Sequence, residues 1–432
     1  MSEPVVFRRA PLRRSLLRIA VTLVAAAIGA FAYAGAADAA PWCGSVASAD
    51  RPAILGGKSI RVIYAIPADG VDQSAQRAPI MAADVDSIAA WWQGQDYART
   101  PRFDLAAFPC GPQADIVLVR LPQAAGELRA TEGRFSKIAD FVAALQPGAK
   151  SLVYYDGPVD DVNICGEGGG SAEGPGVAIV YPAACPDVAS NLVAVHELIH
   201  SFGALPTSGP PHGYPDSPGH VCDSSGDVMY TYAQVAMLDV FALDVGRDDY
   251  YAHNGTWLDV QDSQWLRHLE APAAVLTVTP TGGGSVQSVE PGIDCELACS
   301  LEWDGGTQLV LQASPDPGKK FVRWSGACSG RDDCDLTISQ PTAVQALFAP
   351  ALFRLAVSRG GKGVVRSADG KLTCPSRCAA SFDSFVPVAL QAVPAKGWKL
   401  KRWTGACKGS ARTCKVPMSA SASARAVFVK KP

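Results

Sequence analysis

Cys295, Cys299 and Cys328 return as Cys374, Cys378 and Cys407, each 79 residues later. Leu276 and Trp324 return as Leu355 and Trp403 at the same offset, and Cys334 and Phe348 return as Cys414 and Phe428 one residue further on. A chain that repeats its cysteines, a tryptophan and its apolar positions at one spacing builds one small unit twice. Short β runs between glycines, prolines and aspartates make that unit all-β. Close cysteine pairs are spaced to close small loops, as Cys295–Cys299 and Cys328–Cys334, and again as Cys374–Cys378 and Cys407–Cys414, which helps a unit with a thin core. The composition changes around Glu270-Ala271-Pro272, so the copies are expected over 272–350 and 351–432. Their charge differs sharply. The first copy holds 4 Lys/Arg and 9 Asp/Glu, the second 16 Lys/Arg and 2 Asp.

The other end of the chain reads as a targeting segment. Arg8, Arg9, Arg13, Arg14 and Arg18 precede an apolar run from Ile19 to Ala37, and Ala37-Asp38-Ala39 is a small-residue cleavage site. Residues 1–39 are therefore expected to be a signal peptide. Arg13-Arg14-Ser15-Leu16-Leu17-Arg18 partly resembles a twin-arginine export signal. Thirteen cysteines in an exported chain point to disulfides. Five of them (43, 110, 165, 185 and 222) precede the repeats, an odd number that leaves one thiol over.

Between leader and repeats, residues 40–271 alternate strand and helix patterns. Strands are expected at Arg61–Ile66, Asp115–Leu121, Leu152–Tyr155 and Val177–Tyr181, and helices at Ile80–Trp92 and Phe135–Leu145. Gly166-Glu167-Gly168-Gly169-Gly170 lacks the ending of a phosphate loop, and Cys165 and Cys185 bracket it as a local disulfide. A further helix leads from Pro186-Asp187 and Ser190 through Leu192, Val195, Ile199 and Phe202 to a stop at Gly203. On it stands His196-Glu197-Leu198-Ile199-His200. Positions i and i+4 share a helix face, so both imidazoles can reach one metal ion, and neutral imidazole suits Zn²⁺. Glu197 can take a proton from water at that ion.

His196 to Gly203 resembles the H-E-x-x-H-x-x-G of zincin metallopeptidases, the metzincin clan most closely. The resemblance implies an α+β zincin-like catalytic domain, a mixed sheet plus active-site helix, followed by the two small all-β repeats. It departs at the third ligand, because the family's next ligand position holds Pro206. His220 is the leading candidate, with Asp223 and His212 as alternatives. Asp227-Val228-Met229-Tyr230 looks like the family's methionine turn, and the stretch to Tyr251 looks like a group of bacterial secreted zincins. Tyr230 or Tyr232 could stabilise an oxyanion. Asp244, Asp248 and Asp249 make Ca²⁺ a second candidate ion, set against a turn salt-bridged to Arg247. Trp324-Ser325-Gly326-Ala327-Cys328 and Trp403-Thr404-Gly405-Ala406-Cys407 resemble the core of internalin-type B-repeats.

The expectation is a secreted, monomeric zinc endopeptidase. Its substrate is a protein or peptide, Glu197 is its base and His196, His200 and His220 are its ligands. The basic last repeat suits an anionic cell-envelope polymer, with no specific nucleic acid as partner. The alternative is an envelope-binding protein whose zinc is structural and closed by Cys222.

Overall fold

The computed structural model describes residues 5–9, 42–205, 213, 219–233 and 237–432. The leader's apolar run, its cleavage site, Pro206 and His212 lie outside the described residues. The chain is mostly β, with few helices and small all-β modules at its C-terminal end. It divides into two compact units. The first runs to Val275 and includes 301–307 and 338–340, and the second holds the remainder of the repeats.

In the first unit β1 (Val5–Arg9), β2 (Ile60–Ile66), β3 (Ile116–Arg120), β4 (Lys150–Tyr155), β5 (Ile164–Gly170), β6 (Gly176–Val180) and β7 (Tyr232–Ala233) share one sheet. Their spatial order is β7-β1-β5-β6-β4-β2-β3. β2, β3, β4 and β6 run parallel, and β5 runs antiparallel to β6. β4 and β6 are buried along their whole length, which explains their continuous apolar character. α1 (Ser74–Gln95) carries the chain from β2 to β3, and α2 (Arg134–Leu145) carries it back across β2 to β4. Right-handed crossovers in opposite directions put α1 and α2 on opposite faces.

α3 (Ser190–Ser201) shares the α1 face. Trp92 of α1 meets Phe202 edge-on at 6.2 Å, and Asn191 donates to Ser87 at 2.9 Å. Gly203 follows at φ +85°, the left-handed turn that ends a helix. α1 begins six residues before the predicted Ile80, because Asp72 accepts the Ser74 N–H at 2.8 Å and the helix tolerates Pro79 inside it.

The glycine run, expected as a disulfide-bracketed segment, is the strand β5, and the pairing of Cys165 with Cys185 ties it to the loop before α3. Glycine disfavours strands on its own account, so the signal was absent from propensity. Packing supplies the reason. A Cβ on Gly166 would lie 2.7 Å from Glu197 Cγ, one on Gly168 2.6 Å from the Glu197 carbonyl, and one on Gly170 2.3 Å from the Ser201 carbonyl. The alternate glycines let α3 lie directly on the strand.

In the second copy of the repeat, Leu352–Gly360, Ala379–Asp383, Trp398–Gly405 and Ala422–Lys430 form one four-stranded sheet, and Gly363–Ser367, Thr373–Cys374, Val388–Pro394 and Thr413–Val416 form another. The first copy has the same strand order. All four predicted loop disulfides are present in the two copies. The tryptophan of the shared motif is buried and closes the stapled loop. Trp324 Nε1 donates to the Asp332 carbonyl at 2.7 Å, and Trp403 Nε1 donates to the Ala411 carbonyl at 2.8 Å. Gly326 and Gly405 take φ of +91° and +83°, where a side chain would be strained.

Candidate metal centre

α3 holds His196 and His200 one turn apart, and the loop from Gly219 to Tyr230 brings His220 to them. His196 Nε2 lies 3.1 Å from His200 Nε2 and 3.2 Å from His220 Nε2. All three rings are buried. The carbonyl of Val228 lies 2.6 Å from His196 Nδ1. A carbonyl only accepts, so Nδ1 carries the proton and Nε2 presents its lone pair to the other two rings. Burial, together with the neighbouring imidazoles, holds the pKa of His196 and His200 well below the usual histidine range. Three converging imidazole nitrogens, two of them on rings held neutral, make a donor set that fits Zn²⁺.

The loop that carries His220 is fixed twice. The Val221 N–H donates to the Met229 carbonyl at 3.1 Å, and Met229 is fully buried. Asp227 accepts the N–H groups of Met229 and Val245, each at 2.7 Å, and the Tyr250 hydroxyl at 2.9 Å. Burial nevertheless pushes the Asp227 carboxyl up to about 7. Val228 therefore aims its carbonyl at His196 from a turn that Asp227 holds in shape.

Glu197 is fully buried and points along β5. A Cβ on Gly166 would meet its Oε1 at 2.8 Å, and one on Gly168 would meet Oε2 at 2.7 Å. Its carboxylate is not among the converging ligand atoms. Behind the centre, the buried Lys150 Nζ donates to the carbonyls of Ser201 at 2.5 Å, Ser171 at 2.7 Å and Gly174 at 3.1 Å. Burial pushes the Lys150 ammonium down to about 7, while three accepting carbonyls and the negative dipole end of α3 favour its charged form. Sequence reasoning missed this residue. A lysine opening an otherwise apolar strand was the available signal.

The other candidates fall elsewhere. Asp223 is exposed and clusters with Asp248 and Asp249. Asp244 is consumed as a turn cap, accepting the N–H groups of Asp249, Tyr250 and Tyr251 at 3.1, 2.7 and 2.6 Å. The expected salt bridge from Arg247 is replaced by a bond to the Gln95 carbonyl at 2.7 Å and by stacking over Tyr251. Tyr230 is half-buried, and the side chain of Tyr232 lies outside the described residues. Cys43 pairs with Cys110, which leaves Cys222 as the odd thiol, exposed and apart from the histidines.

Six disulfides are formed, and no helix among the described residues is long and apolar enough to cross a membrane. The disulfides are consistent with an extracellular or envelope protein.

The sequence matches no curated protein. Among solved structures, the chain is similar to the Bacillus anthracis TIE protein at TM-score 0.24 and 7% identity, over 38% of this chain and 34% of that one. It is also similar to wild-type OgpA from Akkermansia muciniphila at TM-score 0.26 and 10% identity, over 89% of this chain and 98% of that one. A major pilin (T-13) from Streptococcus pyogenes gives TM-score 0.19 and 6% identity over 37% and 96%. Likenesses this slight do not establish a shared fold. The tail is different, because one family model fits it twice: residues 274–352 and 356–432 are two divergent InlB B-repeat domains.

Proposed function

We propose that the chain is an exported zinc-dependent endopeptidase with a zincin-like catalytic region, in which His196, His200 and His220 hold the ion and Glu197 is the general base. The observation that carries this reading is the meeting of three buried imidazoles, with His196 Nε2 3.1 Å from His200 Nε2 and 3.2 Å from His220 Nε2, and a buried carboxylate on the residue that follows His196 in the helix. Zinc in that position supplies Lewis acidity, which polarises a carbonyl and brings the pKa of water towards neutrality. Glu197 accepts the proton of the attacking water on a carboxylate oxygen and passes it to the leaving amine nitrogen, so the carboxylate is restored at the end of each turnover. The Val228 carbonyl keeps the proton of His196 on Nδ1, and the turn around Asp227 keeps that carbonyl in place. The glycines of β5 leave room for the Glu197 side chain beside a strand's backbone.

A structural zinc closed by a fourth protein ligand would make the chain an envelope-binding protein instead. Among the described residues no fourth histidine, cysteine or carboxylate joins the three, and Cys222 is exposed.

The test is Glu197→Gln, with metal content and cleavage of casein measured on the same preparation. Stoichiometric zinc with cleavage lost by about a hundredfold or more is the expected result, in the range a general base contributes. Retained cleavage removes Glu197 as the base, and lost zinc makes it a ligand.

A further inference from the structure

We infer that a cavity on the α2 face of β5 takes an apolar side chain of an extended peptide that adds to the β5 edge, and so selects what the centre acts on. The inference deepens the peptidase reading and rests on it for the peptide's role as substrate.

β5 pairs with β6 on one side. Among the described residues, its other side carries only β1, antiparallel, with Val5 opposite Gly168, Val6 opposite Glu167 and Phe7 opposite Gly166. β1 belongs to the segment that the sequence marks as a removable leader. A chain without it presents the β5 edge with its backbone N–H and C=O groups open, a template for an incoming strand. The pairing of Val5–Arg9 is a direct instance of an extended segment seated there.

Side chains along β5 alternate between faces. Gly166, Gly168 and Gly170 face α3, where Glu197 and Ser201 lie against them. Glu167 and Gly169 face α2. Glu167 is spent on the Tyr181 hydroxyl at 2.6 Å and on Arg134 at 3.3 Å. Gly169 is open, since the nearest atom to a Cβ there is Phe135 Cζ at 3.6 Å. Beside it is a cavity of about 430 Å³, bounded by Phe135, Ala139, Ala143 and Val177. The two alanines and the bare Gly169 make the room, and Phe135 and Val177 make it apolar.

Residues opposite each other in an antiparallel pair project to the same face. A peptide residue opposite Gly169 therefore enters the cavity, while the residues opposite Gly168 and Gly166 are carried past Glu197. The register couples what fills the cavity to which peptide bond is presented.

The probes are two fluorescein-labelled nonapeptides copying Met1–Arg9 with Leu or Asp at the fourth place, which falls opposite Gly169 in the Val5↔Gly168 register. Anisotropy is read on the secreted protein carrying Glu197→Gln, and cleavage of the same peptides on the protein without it. The Leu peptide is expected to bind at least about tenfold more tightly than the Asp peptide, as burial of one aliphatic side chain provides. Ala143→Trp, or Ala143→Leu if the larger side chain prevents folding, should erase that preference. Equal binding of the two peptides, or a Leu preference that survives the filled cavity, overturns the inference. Cleavage without Leu preference sinks the cavity and leaves the peptidase. Leu-selective binding without cleavage sinks the peptidase and leaves the cavity. No binding sinks the strand-addition edge.

Discussion

The glycines of β5 make opposite predictions for neighbouring positions. A Cβ on Gly168 would sit 2.6 Å from the Glu197 carbonyl oxygen, 2.7 Å from its Oε2 and 3.0 Å from its Cα. Two of those three atoms are helix backbone, which cannot swing aside. α3 would have to retreat from the sheet, or β5 would have to bow outwards. Forcing an extra carbon into a packed interior costs about 1–3 kcal/mol. Gly169 faces the other way, and a Cβ there meets only Phe135, at 3.6 Å from Cζ, an ordinary contact. Its replacement removes backbone freedom from the unfolded chain and so contributes about 0.4–1 kcal/mol of stability. Gly168→Ala should therefore lower stability by about 1–3 kcal/mol, and Gly169→Ala should be neutral or stabilising. Urea unfolding followed by tryptophan fluorescence reads both, with the slope checked for constancy. Since Glu197 moves with α3, Gly168→Ala should also lose peptidase activity more steeply than stability. If Gly168→Ala matches wild type, or if Gly169→Ala is the more damaging of the two, the account of β5 as a strand stripped to admit α3 is wrong.

His220→Ala should weaken zinc binding strongly, while Asp223→Ala leaves it unchanged, because only His220 lies with the two helix histidines; titration against a competing chelator decides, and equal losses would reverse the assignment. Burial raises the Asp84 carboxyl from 3.8 to about 6, while the Ser190 and Tyr154 hydroxyls hold it partly down. Between those values the folded state binds more protons than the unfolded state, so stability falls by up to about 3 kcal/mol as pH rises from about 4 to about 6. Asp84→Asn should flatten that segment of the profile, and an unchanged slope would acquit Asp84. In the last repeat Lys399, Arg402 and Arg425 are exposed on one four-stranded sheet. Residues 351–432 should co-sediment with anionic envelope material at low salt and release it at high salt, and replacing these three with glutamine should weaken capture. Salt-insensitive capture, or none at all, would leave the charge as a solvated surface.

Much of this protein could be read from single residues and their spacing. The repeat was legible because thin β units recruit the same cysteines and the same tryptophan in each copy. The close cysteine pairs followed, since a staple over four to seven residues leaves little freedom of partner. His196, Glu197 and His200 were legible because a helix fixes i and i+4 on one face without help from anything else. These are local constraints, and local constraints survive in sequence.

What the tertiary structure decided lies across longer separations. Resemblance put His220 ahead of Asp223 in the segment 206–229, but residue types alone do not say which of them meets the helix histidines; that depends on where the loop returns, and Val228 and Asp227 set that return. The glycine run has the composition of a loop and is a strand, because its missing side chains answer a helix about thirty residues further on. Lys150 reads as a misplaced charge until the carbonyls of Ser171, Gly174 and Ser201 surround it. Asp244 looks like a cation ligand until it is seen to cap the N–H groups of the turn that follows it. In each case the side chain's role is fixed by backbone groups brought to it through folding, and a backbone group is the same in every residue, so the sequence carries no mark of it.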